Sequence, residues 1–284
     1  RGLSLVSRFQ LDSFRSMTSF VHELSFARRV VARAGEIAMQ YFDIGIEVDT
    51  KDDGSPVTRA DKEVERYIRT ELAEHFPQDG IFGEEEGEMR KRERTWIIDP
   101  IDGTFNFARG IPIWSTLLAL EVEEDVVLGL VHAPAMQESF HAVRGQGAFK
   151  GDRQIRVSSV TSLERSLFNF GGPNRILESG LWPALTHCVS VTDRQRGFGD
   201  YLGFSLVFEG RAEAMLEVGV KPWDLAPMKI LVEEAGGAYF DLAGGSSIYT
   251  GSCLVTNQAL MPEFKRIFYD EVNRYDEVGA GKIG

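Results

Sequence analysis

The stretch WIIDPIDGT, residues 96–104, is the most informative part of this chain. Its apolar beginning predicts a buried strand, and Asp99 follows where that strand ends and a proline restrains the turn. Asp102 comes three residues later, and carboxylate oxygens are the ligands that hard divalent cations such as Mg²⁺ prefer. Gly103 and Thr104 add backbone N–H groups of the kind that bind phosphate oxygens. Taken alone, this short motif is equally consistent with an ordinary turn.

Length and composition indicate a globular, water-soluble protein. The chain has 284 residues, of which 43% are hydrophobic and 26% are charged, and these values are typical of globular domains. No stretch approaches the roughly 18 uncharged apolar residues of a membrane-spanning helix. The net charge of -12 argues against non-specific binding of nucleic acid, because that affinity comes from Lys and Arg at the phosphates. An acidic protein that binds a phosphate needs a positive partner, which metal ions would supply.

The cysteines, the N-terminal segment and the chain length bound the location and the domain organisation. Cys188 and Cys253 lie far apart without metal-ligand spacing, so a disulfide framework and a zinc site are not indicated and a reducing, cytoplasmic location is expected. Residues 1–16 contain three Arg among several Ser and no starting Met, which is typical of an added leader or the end of a transit segment, so organellar import stays open. We divide the rest into an N-terminal half, residues 17–155, and a C-terminal half, residues 156–284.

The N-terminal half has the pattern of an α+β structure. Apolar residues at steps of three and four predict a long helix from Phe20 to Tyr41, and Thr58 is placed to cap a second helix. Between Trp96 and His141, four short β-rich runs separated by turns predict strands in sequential antiparallel pairing.

The C-terminal half alternates helix and strand, which predicts an α/β arrangement. Residues 198–209 and 224–235 have helical patterns, and residues 212–218 between them are predicted to form a strand. Pro227 is expected in the first turn of the second of these helices, where proline is tolerated, and Gly236 supplies its C-terminal stop.

Four separate motifs resemble those of the inositol monophosphatase superfamily. They are KDDGSPVTRADKEVE at 51–65, GEE at 83–85, WIIDPIDGTFNFARGIP at 96–112 and KPWDLAPMKILVEEAGG at 221–237. The resemblance covers residues 17–269, with the motifs in the family's order. It implies a layered αβαβα sandwich of the sugar-phosphatase type, with the active site at the junction of the halves. It also implies a phosphatase in which activated water attacks the phosphate ester directly, inhibition by Li⁺, and a homodimer.

The same resemblance implies the metal ligands. One Mg²⁺ would be held by Glu84, Asp99 and the backbone carbonyl of Ile101. A second would be held by Asp99, Asp102 and Asp224, so that Asp99 bridges the two ions. A third, weaker position in the family also uses the residue that matches Glu84, and Mn²⁺ is an expected substitute. The ordinary alternatives are a solvated loop carboxylate for Glu84 and a helix-terminal charge for Asp224.

The resemblance further implies the catalytic and phosphate-binding residues. Thr104 matches the threonine that, with the residue matching Glu84, orients and deprotonates the attacking water. Asp61 matches the aspartate that hydrogen-bonds this threonine, although an aspartate in a first turn also complements the helix dipole. Lys51 matches a basic residue near the phosphate, with a surface lysine as the alternative. The backbone N–H groups of Gly103 and Thr104 are expected to bind the phosphate.

The segment RGFGDY at 196–201 bears on the substrate. It departs from the G-S/A-A pattern of relatives that hydrolyse inositol phosphates and resembles the histidinol-phosphatase branch of the family. Asp200 and Glu217 would form an anionic recess, which suits a cationic amine or imidazolium better than a neutral ring of hydroxyls. Arg196 is the third predicted substrate residue. We therefore predict L-histidinol phosphate as substrate, with inositol 1-phosphate or a range of sugar and polyol phosphates as the alternative.

Two other classes of protein fit these residues less well. Phosphatases that form an aspartyl phosphate use a DxD motif, whereas the acids here are spaced DxxD and KPWD would stay unexplained. A non-catalytic metal- or phosphate-binding module would be expected to have lost a ligand, and none of the predicted ligands is missing. The aromatics Phe105 and Phe107 are predicted to be buried anchors of the turn, with a position facing the pocket as the alternative.

Overall fold

The computed structural model describes residues 20–42, 48–50, 56–88 and 92–271. The predicted leader, residues 1–16, and Lys51 lie outside these ranges. The helices in the described ranges are α1 Val21–Met39, α2 Arg59–His75, α3 Thr104–Ala108, α4 Pro173–Glu178, α5 Trp182–Val191, α6 Asp200–Phe208, α7 Pro222–Glu234 and α8 Met261–Lys265.

The strands of the described ranges form three sheets. They are β1 Val48–Thr50, β2 Pro56–Thr58, β3 Gly80–Gly83, β4 Gly87–Glu88, β5 Arg94–Asp102, β6 Ser115–Val122, β7 Asp125–Ala133, β8 Glu138–Val143, β9 Gly147–Lys150, β10 Arg153–Ile155, β11 Leu167–Phe170, β12 Arg194–Arg196, β13 Ala214–Val218, β14 Gly237–Phe240 and β15 Ser252–Asn257.

The larger sheet has eight strands in the order β10-β9-β8-β7-β6-β5-β3-β4. From β5 to β10, each strand pairs antiparallel with the next along the chain, which confirms the predicted sequential pairing. The parallel β3–β5 pair places the turn after β3 beside the end of β5. The smaller of the two main sheets has the order β12-β11-β13-β15-β14 and mixes parallel and antiparallel pairs. Strands β1 and β2 form a separate antiparallel pair.

Three hydrophobic clusters separate five layers. One lies between the large sheet and α1 and α2. A second lies between the two sheets and contains α6 and α7. A third joins the smaller sheet to α4, α5 and α8 on its outer face. Strand β5 contributes side chains to two of these clusters. Trp96 and Ile98 belong to the first cluster and Ile97 belongs to the second, because successive side chains of a strand point to opposite faces. The layered αβαβα sandwich is confirmed.

The predicted helices of the N-terminal half form as expected. Helix α2 begins directly after Thr58, whose hydroxyl accepts a hydrogen bond from the Ala60 N–H at 3.1 Å. The Asp61 carboxylate in turn accepts a hydrogen bond from the Thr58 N–H at 2.7 Å, which completes a capping box. The cap orients Asp61 as well as starting the helix.

The position of Pro227 differs from the prediction. Helix α7 begins at Pro222, so Pro227 is its sixth residue and lies inside the helix rather than in its first turn. The earlier start arises because the Asp224 carboxylate accepts from the Lys221 N–H at 2.6 Å and closes the first turn around Pro222. Gly236 follows the helix with a φ of +85°, as expected of a C-terminal glycine.

Close packing of α7 on the large sheet depends on Gly129 in β7. A Cβ at this position would lie 2.9 Å from the Cα of Pro227 and closer still to the Ile230 side chain. We expect Gly129→Val to push α7 from the sheet and to lower the free energy of unfolding by about 1–3 kcal/mol. Chemical denaturation measures this change.

The matched control is Gly145→Asn. Gly145 has a φ of +77° and open space where its Cβ would lie, and asparagine tolerates this backbone. A control that destabilised the protein as much as Gly129→Val would contradict the packing argument.

Candidate active site

A break in the pairing of β5 brings Asp99 and Asp102 to one cavity. Asp99 is opposite Leu117 and Asp102 is opposite Ser115, so two residues of β5 between them face one residue of β6. In a regular strand, residues three apart point to opposite faces. Here the extra residue forms a β-bulge, which turns the side chains beyond it to the other face and so brings Asp102 to the same face as Asp99. Both carboxylates therefore line the same cavity.

The Asp99 carboxylate is buried among other acids. Its side chain is 1% exposed, and its Oδ1 has no hydrogen-bond partner among the described residues. Burial raises the pKa of Asp99 well above its ordinary value, and the charges of Glu84, Asp102 and Asp224 raise it further. The chain therefore places a buried oxygen without a partner in a strongly negative environment.

Asp102 and Asp224 complete a carboxylate trio with Asp99. One oxygen from each of the three lies within 4.8 Å of the others, and this is the group of possible metal ligands found in the described part of the chain. Burial raises the pKa of both Asp102 and Asp224. The Asp102 Oδ2 also accepts from the Tyr201 N–H at 2.8 Å, so this ligand is bound to the next layer.

Glu84 reaches the cavity from a supported turn. Its N–H donates to the Ile98 carbonyl oxygen at 3.2 Å, which holds the start of the turn beside β5. The N–H groups of the next two residues donate to the buried carboxylate of Glu65 at 2.7 and 3.0 Å. Arg69 pairs with Glu65 at 2.7 Å and donates to the Gly87 carbonyl oxygen at 2.5 Å. Glu84 lines the cavity but lies outside the trio.

Thr104 and Asp61 meet at the base of the cavity. The Thr104 Oγ1 lies 3.2 Å from Asp61 Oδ1 and 3.0 Å from the carbonyl oxygen of Ile101. Asp61 is fully buried, and burial raises its pKa to about 6 although hydrogen bonds from Thr58 lower it. Gly103 precedes Thr104 with a φ of +84°, a left-handed conformation that favours glycine. The predicted contact between Thr104 and Asp61 is thus present.

Asp200 and Glu217 also line the cavity. Asp200 begins α6, and Glu217 lies in β13 with 3% of its surface exposed. The Glu217 Oε1 accepts from Arg175 Nη2 at 2.6 Å, whereas its Oε2 is buried without a hydrogen-bond partner in the described chain. Burial raises the pKa of Glu217 to about 8, against the lowering effect of Arg175, and burial also raises that of Asp200. A cationic group beside Oε2 would favour the ionised carboxylate.

Nearly all of the predicted site residues that the structure describes surround one cavity of about 210 Å³. Those that line it are Glu84, Asp99, Ile101, Asp102, Gly103, Thr104, Asp200, Glu217 and Asp224, with Asp61 behind Thr104. Arg196 is exposed on β12, does not line the cavity, and donates instead to the Gln195 carbonyl oxygen.

Five residues that line the cavity are not among the predicted site residues, namely Phe105, Arg175, Phe204, Val220 and Met228. Arg175 comes from α4 and carries no motif that would identify it. Phe105 takes the alternative position rather than the favoured buried one: it is 56% exposed and lines the cavity, with the Arg109 guanidinium 4.2 Å from its ring centroid. Its neighbour Phe107 is buried against Trp114, as the prediction required. Residues two apart in a helix differ by about 200° in direction, so one ring faces the core while the other faces solvent.

The arrangement fits a divalent cation. Its donors are hard carboxylate oxygens, one of them is buried without a partner, and the carboxylates raise each other's pKa values in the absence of a positive charge.

No helix in the described ranges is both long and apolar enough to cross a membrane.

Comparison with known proteins identifies the family of the chain. Residues 21–273 match the model of the inositol monophosphatase family. The chain is 38% identical over 240 residues to a histidinol-phosphatase of Chlorobaculum parvum, a match that covers 82% of this chain and 91% of the relative. It is also 38% identical over 248 residues to the histidinol-phosphatase of Mycobacterium tuberculosis, covering 85% and 95%. The solved structure of the IMPase of Thermotoga maritima superposes with a TM-score of 0.81 at 32% identity and covers 90% of this chain and 99% of that one.

Asp102→Asn tests the carboxylate trio as a cation site. Without divalent cations, we expect the variant to unfold at the same or a higher temperature than the unmodified protein, because one of three repelling charges is removed. With MgCl₂, the unmodified protein should gain thermal stability and the variant should gain much less. Thermal unfolding with and without MgCl₂ measures both effects.

Glu213→Gln is the control for this experiment. Glu213 is also a buried carboxylate that accepts a backbone N–H, from Leu167 at 2.6 Å, but it lies outside the cavity. Its response to MgCl₂ should match that of the unmodified protein. Equal stabilisation of Asp102→Asn by MgCl₂ would contradict the trio as the cation site.

Proposed function

The chain belongs to the inositol monophosphatase family and is a phosphatase, and on this premise we propose that it hydrolyses L-histidinol phosphate with Mg²⁺ as its cofactor. The family is metal-dependent, and the trio of Asp99, Asp102 and Asp224 could hold a metal ion. The proposal has three parts, which concern the metal ligands, the activation of water and the recognition of the alcohol.

We assign one Mg²⁺ to Glu84, Asp99 and the carbonyl oxygen of Ile101, and a second to Asp99, Asp102 and Asp224. Bound Mg²⁺ supplies positive charge to the phosphate and makes water a better nucleophile at neutral pH. The buried Asp99 Oδ1 without a partner supports its role as the shared ligand. A third Mg²⁺ at Glu84 and replacement of Mg²⁺ by Mn²⁺ stay predictions.

Thr104, Asp61 and Glu84 would orient the attacking water. The hydrogen bond from Thr104 to Asp61 fixes the rotamer of the threonine, so its Oγ1 would accept a hydrogen bond from the attacking water. As Thr104 takes the proton of the water, it would pass its own hydroxyl proton to Asp61, and Glu84, which also lines the cavity, would orient the same water. The backbone N–H groups of Gly103 and Thr104 at the start of α3 would bind phosphate oxygens. Lys51, outside the described ranges, stays a predicted phosphate contact.

The acidic wall, Asp200 and Glu217, would determine the choice of substrate. Asp200 and Glu217 together bring two carboxylates, whereas Arg175 brings one positive charge, and the buried Glu217 Oε2 has no partner in the described chain. A substrate with an amine or imidazolium would supply the missing positive charge, and a neutral polyol would not. The similarity to two histidinol-phosphatases supports the same choice.

Inositol 1-phosphate is the second candidate. The Arg175 guanidinium on the same wall can donate to hydroxyl oxygens, and the Thermotoga maritima IMPase is similar over most of both chains. Turnover of both esters by one site is compatible with a cavity that is open to solvent.

Other features of the protein stay predictions. These are the homodimer, the cytoplasmic location and the inhibition by Li⁺. We also propose the two halves, residues 17–155 and 156–284, as the organisation of the chain; the last strand of the large sheet ends at Ile155. Arg196 as a substrate residue lacks support, because its side chain does not line the cavity.

Thr104→Val tests the activation of water. The substitution keeps the shape but removes the hydroxyl, so we expect kcat for phosphate release to fall about a hundredfold or more, while stabilisation by MgCl₂ is retained. Steady-state kinetics and thermal unfolding measure the two effects.

Thr116→Val is the matched control for this change. The Thr116 hydroxyl is also buried in the same region and donates to the Pro100 carbonyl oxygen at 2.9 Å, but it does not line the cavity. Its loss should reduce stability and change kcat only a few-fold. Equal losses of kcat in the two variants would contradict a specific role of Thr104 in the activation of water.

A substrate comparison tests the choice of alcohol. We expect kcat/KM for L-histidinol phosphate to exceed that for inositol 1-phosphate, and we expect Asp200→Asn and Glu217→Gln to reduce the ratio of the two values at least about tenfold, because each removes a carboxylate that would pair with the cation. Phosphate release from each ester gives the ratio. A ratio that both variants leave unchanged would show that the acidic wall does not select the substrate.

A further inference from the structure

Asp200 adopts a backbone conformation that needs support. Its φ is +55°, in the left-handed region that L residues other than asparagine and aspartate rarely adopt. The residue lies at the start of α6, with its carboxylate on the cavity wall. Something outside α6 must hold both the backbone and the side chain in this arrangement.

The side chain is held by Asn106. Its Nδ2 donates to Asp200 Oδ2 at 2.7 Å and to the carbonyl oxygen of Ile113 at 2.9 Å, so both hydrogens of the amide are used. Within the described part of the chain, Asn106 is the residue that donates a hydrogen bond to this carboxylate. The backbone of Asn106 is also held, because its main-chain carbonyl oxygen accepts a hydrogen bond from the Ile111 N–H at 3.0 Å.

The backbone is held by the metal-binding segment. The N–H of Tyr201, directly after Asp200, donates to Asp102 Oδ2 at 2.8 Å. The Asp200 carboxylate also lies so close to Gly103 that a Cβ there would be 3.2 Å from its Oδ2. Residues 102–106 therefore contact both the side chain of Asp200 and the peptide group that follows it, although Asp200 belongs to a different layer and is distant in sequence.

From these contacts we infer that Asn106 is a positioning residue for substrate selection: it holds the Asp200 carboxylate against the cavity so that the site prefers a cationic phosphate ester to a neutral one. This inference rests on the proposed function, in which Asp200 pairs with the positive charge of the substrate. Asn106 does not line the cavity, so its effect must pass through Asp200. The motif that binds the phosphate thereby also sets the position of the group that recognises the alcohol.

A double-mutant cycle with Asn106→Ala and Asp200→Gly tests the inference. Glycine is chosen because it adopts a positive φ without strain and has no carboxylate. The measured quantity is the ratio of kcat/KM for L-histidinol phosphate to kcat/KM for inositol 1-phosphate. Asn106→Ala should lower this ratio about tenfold in the unmodified background, mainly through KM for the cationic ester. In the Asp200→Gly background, it should change the ratio less than about twofold, because the group it positions is absent.

Three results would overturn the inference in different ways. An equal loss in both backgrounds would mean that Asn106 acts through Ile113 and the fold of its loop. An unchanged ratio for Asn106→Ala, alongside a lowered ratio for Asp200→Gly, would mean that Asp200 selects the substrate without Asn106. An unchanged ratio for Asp200→Gly would mean that Asp200 does not select the substrate. The proposed substrate itself would be rejected by a different result, a ratio below one in the unmodified protein. Asn106→Ser, which is too short to reach Asp200, repeats the test if the alanine variant does not fold.

Discussion

The burial of like charges is the constraint on which the rest of this structure depends. Asp99, Asp102 and Asp224 are held within one small region, burial raises the pKa of all three, and repulsion from neighbouring carboxylates raises it further. Such a group costs free energy unless a cation neutralises it. The surrounding scaffold must therefore be rigid enough to keep the carboxylates together, and the bulge in β5, the bond from Tyr201 and the capped start of α7 each hold one or more of them.

The site exists only because the layers are stacked. Asp99 and Asp102 come from the large sheet, Asp224 from a helix between the sheets, and Glu217 from the small sheet. The bond from the Tyr201 N–H to Asp102 ties α6 to β5 at the cavity, while Gly129 lets α7 approach β7 closely. The site residues consequently come together only when the helices of the middle layer are packed between the two sheets.

Sequence patterns predicted those features of the site that are local in the chain. The cap at Thr58 and the position of Asp61 in the first turn depend on residues three apart, and the motif at 96–104 contains its own turn, its glycine and its threonine. Contacts between distant residues were missed. The Glu65–Arg69 pair that supports the turn of Glu84 has the spacing of an ordinary surface ion pair, and only burial distinguishes it. Likewise, the presence of Arg175 at the cavity depends on how α4 packs against β13.

By itself, the sequence determined the family, the order of the elements and the identity of most of the acids around the cavity, because each of these is written in a short motif or a local periodicity. Tertiary structure alone decided which carboxylates share a cavity, that Arg196 lies outside it, that Phe105 is exposed and that Asn106 binds Asp200. Those outcomes depend on distances between segments that are far apart in the chain. Such distances are set by close packing of layers, and packing has no local signature in the order of residues.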